Sequence, residues 1–151
     1  HPVYSLTVTL FSLLLGTGVG SLISRRIGPE RVKTMTRRAL GGIALVALAA
    51  PFLVPRLIDV AIPWPLSFRI ALAVAILLPL GVLLGMPLPG GMRLLATRRP
   101  DIIPWGWGLN GAFSVVGATL AVFIAMNWGF STALITAAFV YASAAGTLSA
   151  A

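Results

Sequence analysis

The chain has 151 residues and a mass of 15.8 kDa, and its composition excludes an ordinary soluble domain. Hydrophobic residues make up 58% of it and charged residues only 9%, whereas a soluble domain carries about 25% charged residues because water must wet its surface. The formal net charge is +8, but the basic residues stand in short gaps between long apolar runs. That arrangement indicates orientation in a membrane rather than nucleic-acid binding, so no nucleic-acid partner is expected.

Residues able to carry out chemistry are few. The acids are Glu30, Asp59 and Asp101, the single histidine is His1, and there is no cysteine. This inventory excludes disulfides and thiolate nucleophiles, and it leaves little for acid–base, triad or metal-dependent catalysis. We therefore expect no metal site, no cofactor and no catalytic residue in the chain.

Five apolar runs are each long enough to cross a bilayer, which takes about 20 residues. Each is apolar around the whole helical circumference, and lipid offers no water to unpaired backbone groups, so all five are predicted as helices. The predicted fold is an all-α, polytopic transmembrane helix bundle that forms one domain over residues 1–151. The predicted spans lie at about 3–24, 39–62, 67–89, 105–127 and 128–150.

The first span carries small side chains at four-residue spacing on one helix face: Ser12, Gly16, Gly20 and Ser24. Small residues let membrane helices approach closely, and packing then replaces the missing hydrophobic drive between helices. Gly81 and Gly85 repeat the spacing on the third span, so we predict that these two faces pack together. No basic segment precedes the first span, and we do not expect it to be a signal peptide.

Prolines and glycines interrupt the second and third spans. Pro51 and Pro55 predict that the second span kinks and ends early, because proline removes a helix hydrogen bond. Pro79, together with Gly81 and Gly85, predicts a bend in the third span.

Two pairs of polar residues are candidate substrate-binding groups. Arg56 and Asp59 stand three residues apart and can meet on one helix face, either as an interfacial ion pair or as a gating or proton-coupling pair. Asn110 lies near the start of the fourth span, with Ser114 one turn further. A carboxamide in lipid is costly unless paired, so we predict that Asn110 faces protein or a wet cavity. It would then form an interhelical hydrogen bond or contact a substrate or ion.

Two connections hold nine of the eleven basic residues, namely Arg25, Arg26, Arg31, Lys33, Arg37, Arg38, Arg93, Arg98 and Arg99. The opposite side has only Arg56 and Arg69. Because short loops rich in lysine and arginine stay in the cytoplasm, we predict an outside amino end and an inside carboxyl end. Aromatic residues fit this orientation: Tyr4, Trp64 and Trp128 would mark the outer interface, and Trp105 and Trp107 the inner one.

Three stretches of the chain are HPVYSLTVTLFSLLLGTGVGSL at 1–22, GMPLPGGMRLL at 85–95 and PWGWGLNGAFSVVGATLAV at 104–122. Together they resemble the membrane region of bacterial spermidine-synthase-like proteins. The resemblance implies a cytoplasmic partner domain with a Rossmann-like sheet that binds decarboxylated adenosylmethionine and a polyamine. The chain would then be a non-catalytic module of the bacterial inner membrane, part of a longer protein, that anchors this domain and could handle a small cationic solute.

A second resemblance points to transport. The segment from Gly20 to Gly28, followed by Arg31 and Lys33, resembles the cytoplasmic loop motif of major-facilitator carriers, with Ser24 in place of the usual acid and Gly28 one residue late. It implies part of a secondary transporter as an alternative function. A further alternative is an accessory structural subunit that packs against a larger membrane complex through its glycine faces.

Overall fold

The fold, taken from a computed structural model, is all-α, as predicted. The structure describes the backbone of residues 2–150 and the side chains of residues 5–149. His1 and the side chain of Tyr4, an aromatic predicted at the outer interface, lie outside the described residues. Helices make up 93% of residues 2–150, and these residues contain no strand. The helices are α1 (Pro2–Arg26), α2 (Pro29–Ala61), α3 (Leu66–Leu84), α4 (Pro87–Arg98), α5 (Ile103–Trp128) and α6 (Phe130–Ala150), with a 3-10 turn at Pro100–Ile102.

Five helical segments among the described residues are long and apolar enough to cross a membrane: Ser5–Arg26, Pro29–Ala61, Leu66–Arg98, Pro100–Trp128 and Phe130–Ser149. The predicted number of spans is therefore confirmed, and the chain is a multi-pass membrane protein. One segment unites α3 and α4, because only Gly85 and Met86 separate these two helices.

The second helix begins ten residues earlier than the sequence predicted, at Pro29 rather than near position 39. Proline suits the first helical position, since its fixed φ matches the helix and its missing N–H would have had no partner there. Buried side chains recur at helical spacing on one face of this early part: Val32, Thr36, Ala39, Leu40 and Ile43. The predicted basic loop at 25–38 is therefore mostly helix, with a short connection at Ile27 and Gly28.

The same helix continues past both of its prolines. Pro51 and Pro55 lie inside α2, which ends only at Ala61, so the predicted early end was wrong. A proline leaves one carbonyl without its helix partner, but ending the helix would leave the last four carbonyls unpaired. In hydrocarbon the second cost is larger, because no water can replace the lost hydrogen bonds.

The break between α3 and α4 lies at Gly85, where Gly85 N donates to Gly81 O over 2.9 Å and Pro87 begins the next helix. Pro79 lies inside α3. The connection predicted between the third and fourth spans consists of most of α4, the 3-10 turn and the first residues of α5. Both basic connections are thus largely helical.

Two helix pairs make up most of the bundle. α1 packs chiefly against α3, and α2 chiefly against α6, while further contacts of α2 with α3 and α4 join the pairs. α5 contacts α6 along part of its length and touches α4 near its start. We call the end that carries residues 25–38 and 93–99 the basic end, and the end that carries the turns at 62–65 and Gly129 the opposite end.

The turn between α5 and α6 is a single residue, Gly129, with φ of 88° and ψ of 161°. This positive φ lies in a region that side chains with a Cβ avoid, so glycine is required for so short a connection. Trp128 and Phe123 pack edge to face beside the turn, with ring centroids 5.8 Å apart.

Candidate functional site

The small-residue row of α1 lies against α3. Ser12 and Ser24 are 4% and 3% exposed, and Gly16 and Gly20 are buried between them. A Cβ added to Gly16 would stand 2.6 Å from Leu78 O and 2.8 Å from Gly81 Cα, and a Cβ on Gly81 would stand 2.9 Å from Leu13 O. These separations are shorter than van der Waals contact, so the two backbones touch only because both positions are glycine.

One turn further along, Gly20 and Gly85 make the same kind of approach. A Cβ on Gly20 would fall on Val82 O, and a Cβ on Gly85 would fall on Thr17 O and stand 2.7 Å from Thr17 Cα. The structure thus brings together the two glycine faces that the sequence paired. This interface holds α1 to the α3–α4 unit.

Asn110 and Ser114 lie on the exposed surface of α5. The sequence predicted that Asn110 faces protein or a wet cavity, but within this chain it does not face protein. Ser114 Oγ donates to Asn110 O over 2.7 Å and so bonds within its own helix. The Asn110 carboxamide makes no hydrogen bond to any described residue. The prediction was not met within this chain because α5 lies at the margin of the bundle, where none of its residues is buried.

Arg56 and Asp59 are both exposed near the end of α2, and no hydrogen bond or ion pair joins them in the described part of the chain. The predicted ion pair is therefore not formed. Their spacing permits a pair, but at the end of a helix each charge can be solvated separately, and an exposed pair gains little. They lie toward the opposite end of the bundle, whereas Asn110 is near the basic end, so the four candidate substrate residues do not form one site.

At the basic end, two long side chains tie helices together. Arg93 Nη1 donates to Ser24 O over 2.7 Å, which joins α4 to the last turn of α1. Arg37 Nη1 donates to Ser149 Oγ over 3.3 Å and so links α2 to α6. The carbonyls of a last helical turn lack helix partners, and a cation there also interacts favourably with the helix dipole. Arg93 thus has a structural role beyond the setting of orientation.

An ion pair joins Arg99 to Asp101 at 3.0 Å. The arginine donates through Nε and Nη2 to both carboxylate oxygens. Hydrogen bonding to Asp101 raises the pKa of the Arg99 guanidinium above its ordinary value. Both side chains are more than half exposed, so the pair contributes little to stability.

A cavity of about 280 Å³ opens beside this pair, between the start of α2, the end of α4 and the end of α6. We call it the basic-end cavity. Its charged lining is Lys33, Arg98 and Arg99, and its apolar lining includes Leu94, Leu95 and Leu148. No acidic residue is among its lining residues, and Asp101 pairs with Arg99 from outside the cavity.

Two other cavities each have one charged lining residue. One of about 390 Å³ runs beside α1 and the α3–α4 junction from Thr17 to Arg25, with Trp107 at its margin. The other, of about 320 Å³, lies between α2 and α3 near the opposite end and has Arg69 as its charged residue. Neither contains an acid that would hold a cation. Among the described residues there is also no cluster of three side chains suited to bind a metal ion.

The segment that resembles the carrier loop motif is not a loop here. Residues 20–26 form the last two turns of α1, Gly20 and Ser24 are buried against neighbouring helices, and Gly28 has extended backbone. Gly20 therefore serves helix packing in this chain.

Sequence reasoning missed two features of the basic end. Gly90 lies against Thr36, and an added Cβ would fall on Thr36 Oγ1. The basic-end cavity was missed as well, since the sequence-based prediction starts the second helix only near position 39. The helical spacing of Val32, Thr36, Ala39 and Ile43 was the signal that could have shown a helix with one buried face.

Comparison with protein-family models, with curated proteins and with solved structures finds no match to this chain.

Proposed function

We propose that the chain is a non-catalytic membrane module of a larger assembly, whose basic end anchors a cytoplasmic domain. The supporting observation is the exposure of α5. This helix has no buried residue, and its Asn110 carboxamide, about 10 Å along the axis from the helix start, lacks a hydrogen-bond partner in the described chain. Such a group in hydrocarbon costs free energy unless another polar group pairs with it. A further membrane helix against α5 would supply the partner.

The resemblance of 1–22, 85–95 and 104–122 to spermidine-synthase-like membrane proteins suggests the class of the anchored domain, an aminopropyltransferase-like enzyme. The basic end is suited to hold it, because Arg25, Arg26, Arg31 and Arg38 are all exposed there. Cations on a surface steer and orient an acidic partner. The anchored domain would hold the substrate-binding acids that this chain lacks.

We place the basic end in the cytoplasm, with the amino end outside and the carboxyl end inside, in the inner membrane of a bacterium. The excess of lysine and arginine at one end supports this orientation. Exposed tryptophans at both ends are consistent with the two interfaces: Trp64 and Trp128 at the opposite end, Trp105 and Trp107 at the basic end.

The proposal is tested by photocrosslinking in native membranes. A photoreactive phenylalanine analogue replaces Phe113 on α5, or, as the matched control, Phe11 on α1; these side chains are 67% and 63% exposed. We expect a polypeptide adduct from position 113 and only lipid adducts from position 11. Mass spectrometry should identify the adduct as the same membrane protein each time, and Asn110→Leu should reduce its yield.

A third crosslinking position, Arg38 on the exposed face of α2 at the basic end, tests the cytoplasmic domain. An adduct that contains an aminopropyltransferase-like sequence supports the anchoring role. The complete open reading frame and its neighbours give an independent check, because they should encode such a domain. Lipid adducts alone from both positions 113 and 38 would show that the chain acts by itself.

A further inference from the structure

We propose that the cleft between α2 and α3 binds one long-chain fatty acid, whose carboxylate pairs with Arg69. The cleft has a volume of about 320 Å³, which falls within the range of about 300–1,000 Å³ found for small-molecule sites. It lies beside the turn at 62–65 that joins the two helices, at the opposite end of the bundle. Neither α5 nor the basic end lines it, so this proposal is independent of the anchoring role.

The lining of the cleft comes from one face of each helix. The residues of each face recur at i, i+3, i+4, i+7 and i+8, the spacing of a helix side that faces a neighbour. Those of α2 and the turn are Val54, Leu57, Ile58, Ala61 and Ile62, and those of α3 are Arg69, Leu72, Ala73, Ile76 and Leu77. No glycine is among these lining residues, so the two backbones do not approach here as those of α1 and α3 do. The two faces therefore leave room between them.

Polarity changes along the cleft. Arg69 stands one turn from the start of α3, at the end of the cleft beside the turn, and the other lining residues are all apolar. From Arg69 to Leu77 the cleft runs about 12 Å along the helix axis. One leaflet of a bilayer has a hydrocarbon depth of about 15 Å, so this length suits a single acyl chain. The headgroup would lie at Arg69, and the chain would supply the dispersion contacts that the lining of an empty cleft lacks.

The charge of Arg69 favours an acidic headgroup. Its guanidinium forms no hydrogen bond or ion pair with any described residue. Asp59, which also lies toward this end, does not line the cleft and is not paired with Arg69. A guanidinium presents a fork of N–H donors that matches the two oxygens of a carboxylate. Because no second polar side chain lines the cleft to hold the phosphate and esters of a phospholipid, the small headgroup of a fatty acid is favoured.

The test is photolabelling of the full chain in phosphatidylcholine vesicles, at alkaline pH, by palmitic acid that carries a diazirine in mid-chain. The methyl ester of the same compound is the matched control ligand, since it has the chain without the charge. We expect the acid to label residues 54–62 and 69–77, as mapped by mass spectrometry, and unlabelled palmitate to compete. The ester should label them about five-fold less, the upper end of the effect of an exposed charge pair.

Two pairs of variants locate the site, with affinity measured as the palmitate concentration that halves the labelling. Arg69→Gln should weaken binding about five-fold. Arg56→Gln, which removes the same charge at the same end outside the cleft, should change it less than two-fold. Ala73→Phe fills the cleft and should abolish labelling there, whereas Ala75→Phe adds the same ring at an exposed position of α3 outside the cleft and should preserve it.

Several results would overturn the proposal. These are equal labelling by the acid and its ester, equal effects of Arg69→Gln and Arg56→Gln, or unchanged labelling in Ala73→Phe. Monodisperse elution of each variant from a sizing column is checked first, so that lost binding does not reflect lost folding. If Ala73→Phe fails that check, the comparison of the two arginine variants decides.

Two other occupants of the cleft are tested in the same vesicles. Phosphatidylglycerol with the same photoreactive chain tests a phospholipid, and stronger labelling by it than by the acid would overturn the proposal. A photoreactive phenylalanine analogue at Ile76, which lines the cleft, tests a second copy of the chain. We expect lipid adducts from this position, whereas a dimeric adduct would show that protein fills the cleft.

Discussion

The backbones of α1 and α3 meet at Gly16, Gly20 and Gly81, with Gly85 just beyond the end of α3. At each position, backbone atoms of the other helix occupy the space that a Cβ would fill. Backbone atoms cannot rotate away as a side chain could. Packed interiors give way little to added volume, so strain there is relieved only by moving whole helices. Residues of this kind set the distance between elements.

We predict that Gly20→Leu destabilises the bundle by about 3 kcal/mol, the upper end of the usual cost of added volume in a packed core. The reason is that its Cβ would fall on Val82 O. Gly18→Leu, two positions away on the exposed side of α1, should cause no loss. Thermal unfolding in detergent, followed by circular dichroism, measures both. Equal unfolding temperatures for Gly20→Leu and the unaltered chain would show that α1 and α3 are further apart than described.

Gly90 is a second close approach, this time against the side chain of Thr36, which is 5% exposed. We predict that Gly90→Ala lowers the free energy of unfolding by about 1–3 kcal/mol. Adding Thr36→Ala should restore most of the loss, because the nearest remaining atom, Thr36 Cβ, would stand 3.3 Å from the new methyl carbon.

The measurement for Gly90 is a double-mutant cycle of thermal or denaturant unfolding. Contacting residues typically show a coupling of about 0.5–3 kcal/mol. Additive effects of Gly90→Ala and Thr36→Ala would mean that α2 and α4 do not meet here.

At the scale of elements, the number and type of the spans followed from the sequence, because apolar length alone decides whether a segment can cross a bilayer. The first and last residues of the helices could not be predicted as accurately. Residues 29–38 continue α2 despite five charged side chains, since one face is buried against neighbouring helices. A count of charges could not show this, but the spacing of the buried residues could.

The interface of α1 with α3 was also predictable, because small residues at four-residue spacing mark a face that permits close approach. The exposed position of Asn110 was not. Whether a helix lies inside a bundle or at its margin depends on which elements pack together, and the apolarity of α5 is equal on all sides. The failed pairing of Arg56 with Asp59 has a similar cause, since spacing permits a pair but solvation decides it.

At the scale of the whole molecule, charge divides the bundle into two unlike ends. Nine basic residues belong to the two connections of the basic end, and Arg56 and Arg69 lie toward the opposite end. We predict that a cysteine at Trp128 reacts with a membrane-impermeant maleimide added to intact cells. A cysteine at the exposed Arg31 should react only after the cells are opened. The chain has no native cysteine, so each label reports one site, and the reverse pattern would invert the orientation.

Of the three acids of the chain, Asp59 lies far from the other two. Glu30 lies in the first turn of α2, where the helix dipole favours a negative charge. Asp59 lies on the same helix about 40 Å away along its axis. Asp101 is bonded to Arg99 through both carboxylate oxygens. Among the described residues, Asp59 is therefore too far from Glu30 to bind the same polycationic substrate, and Asp101 already has a cationic partner.

We therefore predict that the purified chain makes no spermidine from putrescine and decarboxylated adenosylmethionine. Aminopropyl transfer requires an amine that is deprotonated beside a reactive sulfonium, held by acidic groups at a fixed distance. The measurement is chromatographic detection of spermidine, with a soluble spermidine synthase as the positive control in the same detergent. Addition of the domain captured at position 38 should bring turnover to the complex. Turnover by the chain alone, above that of a boiled sample, would contradict its assignment as a non-catalytic module.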